Sequence, residues 1–197
     1  MVSNTARRQS SRLVALFTIV AATLSPALSE AAPAVTEKGL NGSINSIQPT
    51  PLGLKKLTGE LKPPFSLAGL WGSHVELSQH QDRIVLVHFF ATWCAGCHDG
   101  IVSLQKLANQ FHNSTVVVLA INVADLDLRA NRYFEKNPVD FSVLLDRNRK
   151  TAKAWEAYSL PATFILDRSL KPEYLAETSI DWNRPDIVNL IHGLANR

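Results

Sequence analysis

An α/β fold, with a central mixed sheet flanked by helices on both faces, is predicted by three features of the sequence. Residues 84–90 (IVLVHFF) and 115–123 (TVVVLAINV) are almost unbroken apolar runs, as in strands buried on both faces. Between them, Ile101, Leu104, Leu107, Ala108 and Phe111 recur at helical spacing. A second helical stripe, a set of short strands and a closing helix follow, the alternation that builds a layered α/β domain.

The remaining elements are read in chain order. The first helix spans residues 97–111, directly after the strand 84–90. Leu126, Ala130, Tyr133 and Phe134 mark the second helix, which Asn137-Pro138 ends. Residues 142–145 form a short strand and 151–158 a short helix. A strand over 163–166 follows Pro161, with a partner over 173–178. Ile187, Leu190, Ile191 and Leu194 give the inner face of a closing helix, capped by Asp181 or Asn183. Upstream, residues 30–62 are broken by Pro33, Gly39, Gly42, Pro49, Pro51 and Gly53, which predicts a spacer, with room for one short hairpin, before a domain over 63–197.

The N-terminus carries an address rather than structure. Residues 1–12 are polar and basic, 13–24 almost wholly apolar, and 25–29 small, the order of a secretory signal peptide within 1–29. Ala27 and Ser29 satisfy the small-x-small cleavage rule. The apolar run of about 12 residues falls short of the ~20 that cross a bilayer core, so a short membrane anchor would have to recruit residues 25–28. The expected location is the periplasm or another extracytoplasmic envelope space, where disulfides form. Arg7, Arg8 and Arg12 are the only charges before Glu30, so the net charge of +3 belongs to that segment. The body is formally neutral, which argues against nucleic acid as a partner.

The chemistry sits in Cys94-Ala95-Gly96-Cys97, which contains both cysteines of the chain. Two thiols make neither a disulfide scaffold nor a four-thiolate metal site. Their place, after a buried strand and at the start of a helix, puts them where unsatisfied N–H groups favour a thiolate. Cys94, the outer residue, would attack a substrate disulfide, and Cys97, in the first turn, would resolve the mixed disulfide. A redox-active Cys94–Cys97 disulfide needs no further cofactor.

The segment Phe89-Phe90-Ala91-Thr92-Trp93-Cys94-Ala95-Gly96-Cys97 resembles the active-site segment of thioredoxin-like proteins. Pro64-Phe65-Ser66-Leu67, His74-Val75-Glu76-Leu77-Ser78 and residues 158–167 (YSLPATFILD) are similar to landmarks of the exported ResA/TlpA-type thiol–disulfide oxidoreductases, in the same order. The resemblance implies a thioredoxin-like fold over about residues 60–197. It also implies that Pro161 is the family's cis-proline, facing the cysteines and exposing the Leu160 backbone to an extended substrate segment. Trp93 would cover the rim. Protein thiols and disulfides of the envelope are the implied partners, with apocytochrome c among them and a membrane thiol relay as electron donor.

Three positions depart from that pattern. Gly96 replaces the common proline, Gly100 stands where relatives often place a glutamate, and His88 lies where they carry an aspartate or asparagine. By this match His88 should point toward the inner side of Cys97. An imidazole of ordinary pKa ~6.5 could exchange a proton with that thiol. The plainer expectation is a neutral core histidine tied to a backbone carbonyl.

The same residues are open to other chemistries. Cys94-Ala95-Gly96-Cys97-His98 is formally a CxxCH haem-attachment motif with His98 as axial ligand, but Met1 is the only methionine and the strand-then-helix setting suits a redox pair better. Otherwise His98 is an exposed first-turn residue that tunes the thiols. Zinc would lack a convincing fourth ligand. Peroxidase chemistry on this fold would need a differently placed cysteine. A redox-inert binding module on the same fold is the remaining alternative.

Overall fold

A computed structural model describes residues 53–58, 60–111 and 115–197 of the 197-residue chain. The segment read as signal peptide or anchor, and most of the spacer, lie outside the described residues. Among the described residues no helix is long and apolar enough to cross a membrane.

The elements are β1 (Lys55–Lys56), β2 (Ser66–Ala68), β3 (His74–Glu76), β4 (Ile84–Phe90), α1 (Cys97–Gln110), β5 (Val116–Val123), α2 (Asp127–Lys136), β6 (Ser142–Asp146), α3 (Lys150–Ala154), β7 (Ala162–Leu166), β8 (Pro172–Ala176) and α4 (Pro185–Ala195). Six strands form one mixed sheet in the order β1-β8-β7-β4-β5-β6. β4, β5 and β6 run parallel; on the other side of β4, β7 runs antiparallel to it and β8 antiparallel to β7. β2 and β3 make a separate hairpin, tied to the large sheet by a bridge from Gly69 to Leu144.

β4 is central and every one of its residues is buried. Its alternation therefore serves two cores rather than a core and a solvent face. Ile84, Leu86 and Phe90 join Ile101, Leu104 and Leu107 of α1, Phe134 of α2, and Ile187, Ile191 and Leu194 of α4. Val85, Val87 and Phe89 face the opposite side, with Phe65, Val75, Phe164 and Trp155. There Trp155 meets Phe89 and Phe164 at centroid distances of 5.7 and 5.2 Å in tilted and edge-to-face contacts. Each such pair contributes about 0.5–1.5 kcal/mol beyond its burial.

Three expectations change. The helix expected over 151–158 ends at Ala154. Glu156 turns left-handed (φ 59°), the Ala157 N–H returns to the Ala152 carbonyl at 2.9 Å, and Trp155 is drawn inward by its indole bond to the Pro63 carbonyl. Neither Asp181 nor Asn183 caps the closing helix. Asp181 Oδ1 accepts the Asn183 N–H at 2.9 Å, a turn just ahead of the helix, and Pro185 at the first position lacks the N–H a cap would satisfy. The end of the stretch read as spacer supplies β1 at the sheet edge, paired with β8, and Leu54 enters the core beside it.

Candidate active site

The site lies where β4, β5 and β6 end and β7 begins. In a parallel array the loops after the strands gather at one edge, and a strand running the other way brings the loop before it to the same place. The loop after β4 carries Thr92, Trp93 and Cys94, the loop after β5 carries Asp125 and Leu126, and the loop before β7 carries Tyr158, Leu160 and Pro161. Register confirms the convergence, since Ala162 sits opposite Phe89 on β4 and Asn122 opposite Phe90.

Cys94 and Cys97 are joined as a disulfide with Cα atoms 5.4 Å apart. Gly96 precedes α1 and Cys97 is its first residue. The tight turn before it is held by Cys94 N–H to the Ala91 carbonyl (3.1 Å) and Cys97 N–H to the Cys94 carbonyl (3.0 Å). The two sulfurs are not equivalent. Cys94 retains 9% of its surface, whereas Cys97 retains 1% and packs into the α1 core.

Around the pair, Trp93, Leu126 and Tyr158 are 58%, 67% and 77% exposed, large apolar side chains on three converging loops. Leu160 is half-buried and packs against both cores, and the Leu160–Pro161 bond is cis. His98 is exposed and sets its ring edge-on to Tyr133 of α2, 4.9 Å between centroids.

His88 is fully enclosed on the α1 side of β4, with its Nδ1 2.8 Å from the Thr163 hydroxyl on β7. The partner is therefore a side chain on the neighbouring strand and not the backbone carbonyl expected. The other ring nitrogen has no hydrogen-bond partner among the described residues. Burial holds the pKa down at about 3, so the ring is neutral across the range in which thiols exchange, and the expected ionisation near 6.5 does not hold. The ring lies against Gly100, where an added Cβ would stand 3.4 Å from Cε1. Gly100 shares the buried face of α1 with Cys97, three residues earlier. The departures at 88 and 100 are thus neighbours in space.

Asp125 is the residue that sequence reasoning missed. Its carboxylate accepts the Thr92 N–H (2.9 Å), the Thr92 hydroxyl, the Asn122 amide (3.3 Å) and the Leu126 N–H (3.0 Å), with Arg129 Nε 3.8 Å away. Burial alone would raise its pKa, but these donors outweigh that and hold it below the usual carboxylate range. An available signal was an acid directly after a buried parallel strand, at the edge where α/β sites form.

Residues 58–172 match the AhpC/TSA family. This chain belongs to that family. The AhpC/TSA chain is also similar to proteins named thiol-disulfide oxidoreductase ResA. It is 28% identical over 111 residues to that of Geobacillus kaustophilus, covering 56% of this chain and 64% of the relative. It is 28% identical over 109 residues to that of Bacillus subtilis, covering 55% and 61%. The match thus spans a little under two thirds of these curated relatives. Among solved structures, a secreted thiol-disulfide isomerase from Corynebacterium glutamicum superposes with a TM-score of 0.66 at 20% identity, over 76% of this chain and 95% of the other. A DsbF homologue from Corynebacterium diphtheriae gives 0.65 at 22%, over 74% and 96%. These likenesses establish the thioredoxin-like fold of the AhpC/TSA chain.

Proposed function

We propose that this chain is a thiol–disulfide oxidoreductase acting on protein disulfides outside the cytoplasm. The unequal burial of the pair carries the reading: Cys94 reaches the surface, and Cys97 stands behind it in the first turn of α1. In the reducing direction, the Cys94 thiolate attacks one sulfur of a substrate disulfide, whose S–S bond breaks to leave a mixed disulfide and a substrate thiol. Cys97 then attacks Cys94 Sγ, releasing the second substrate thiol and restoring the Cys94–Cys97 bond. Two electrons have passed to the substrate, and a thiol donor must return them. A membrane thiol relay fits that role, and apocytochrome c cysteines are the first substrates to test. The names of the ResA relatives support the reaction class, and the signal-like residues 13–29 support export.

The exposed Trp93, Leu126 and Tyr158 suit a polypeptide surface, and the Leu160 backbone would pair with its extended segment. The neutral His88 ring meets the Thr163 hydroxyl through Nδ1 and makes no hydrogen bond to Cys97, so its part here is packing against Gly100 on the same face of α1 as Cys97. The test is trapping in the native envelope. Cys97→Ser should accumulate mixed disulfides through Cys94, and Cys94→Ser should accumulate none. Full exchange activity in both single variants would overturn the mechanism.

A further inference from the structure

We infer that Asp125 and Thr92 form a clamp that presets Cys94 for bonding to Cys97 and thereby sets the balance between disulfide and dithiol. The inference rests on the redox reading above and names a positioning residue for it. Asp125 Oδ2 accepts the Thr92 N–H, the Thr92 hydroxyl and the Asn122 amide, while Oδ1 accepts the Leu126 N–H, four donors on one carboxylate. Two of the four come from one residue, two positions before Cys94. The far end of the same short turn is held by Cys94 N–H on the Ala91 carbonyl. The turn is therefore braced from inside by its own backbone and from the loop after β5 by a buried charge.

The redox consequence follows from what each state lacks. In the disulfide, the Cys94–Cys97 bond fixes the turn whether or not the clamp exists. In the dithiol that covalent tie is gone, and the clamp alone keeps Cys94 near bonding position, which raises its effective concentration toward Cys97. Loosening the clamp frees the dithiol and leaves the disulfide nearly unchanged, so the balance moves toward dithiol. The charge of Asp125 acts in the same direction, because it disfavours a Cys94 thiolate, a species only the reduced form contains.

The measurement is equilibration of the full chain with glutathione buffers, followed by alkylation and mass analysis. Cys94 and Cys97 lose two protons and two electrons to glutathione disulfide; its S–S bond breaks, theirs forms, and two glutathione thiols leave. Thr92→Val keeps the shape and the charge but removes the hydroxyl. It should shift the equilibrium toward dithiol about fivefold, by the loss of a bond to a charged acceptor. Asp125→Ala should shift it further, about tenfold or more, equivalent to about 30 mV or more for this two-electron couple. Thr92→Ser retains the hydroxyl and should stay within about twofold of the parent. If Asp125→Ala does not fold, the two Thr92 variants decide the matter. A Thr92→Val equilibrium within about twofold of the parent, or shifted toward disulfide, would overturn the clamp, whatever its melting temperature. So would a Thr92→Ser shift as large as that of Thr92→Val. No protein substrate enters this measurement, so a chain inert toward insulin disulfides would sink the oxidoreductase reading without touching the clamp.

Discussion

His88 shows how burial can reverse the use of an ionisable side chain. Its folded pKa of about 3 lies below the ordinary 6.5, so between these values the unfolded chain binds a proton that the folded chain refuses. The stability that the neutral ring permits is fully present above pH ~6.5 and is lost progressively as pH falls toward 3. Two pH units inside that window correspond to about 2–3 kcal/mol. The wild-type chain should therefore lose about that much more than His88→Asn between pH 6.5 and 4.5, read as the difference between their urea unfolding curves. Equal losses would mean that the ring accepts its proton in the folded state, and the hydrogen bond to Thr163 would need to be redrawn.

At the level of the helix, α1 contains a glycine at a buried interior position, where glycine weakens a helix by about 1 kcal/mol relative to alanine. An alanine Cβ at 100 would meet His88 Cε1 at 3.4 Å, at the close end of ordinary contact. Propensity should outweigh that contact, so Gly100→Ala should stabilise the fold by about 0.5–1 kcal/mol in urea titration. A loss instead would show that the His88 ring has no room to yield. The elements themselves were readable wherever periodicity was strong. β4 and β5 carry long apolar runs, and α1 and α4 carry a one-sided stripe. Short elements were not. The helix α3 is five residues long, and what starts it is Asp146 accepting the N–H groups of Thr151 and Ala152. The left-handed Glu156 that follows its end has no glycine or asparagine to announce it. The Lys55–Lys56 strand exists only because β8 offers an edge, a tertiary fact invisible in two lysines.

Across the whole molecule, the domain reaches further toward the N-terminus than its composition suggests. Leu54 is 6% exposed and packs in the core that holds α1 and α4. Leu54→Ala should therefore cost about 2 kcal/mol in thermal or urea unfolding, as truncation of a buried leucine does, whereas a spacer residue would be neutral. The same contrast holds for the site. The cysteines, Trp93 and Pro161 were legible because a local motif names them, and His88 because a polar residue in an apolar strand stands out. The bond from Asp125 to Thr92 was not legible, since the two lie 33 residues apart and only the parallel pairing of β4 with β5 brings them together. The bond from His88 to Thr163 has a consequence of the same long-range kind. These two residues face each other directly in the antiparallel pairing of β4 with β7. A slip of one residue would turn Thr163 to the opposite core, leaving a hydroxyl and an imidazole both enclosed and unpaired, while the apolar neighbours would tolerate the exchange far better. The polar pair thus acts as a registration mark, selecting one strand alignment out of several that the greasy residues alone would accept.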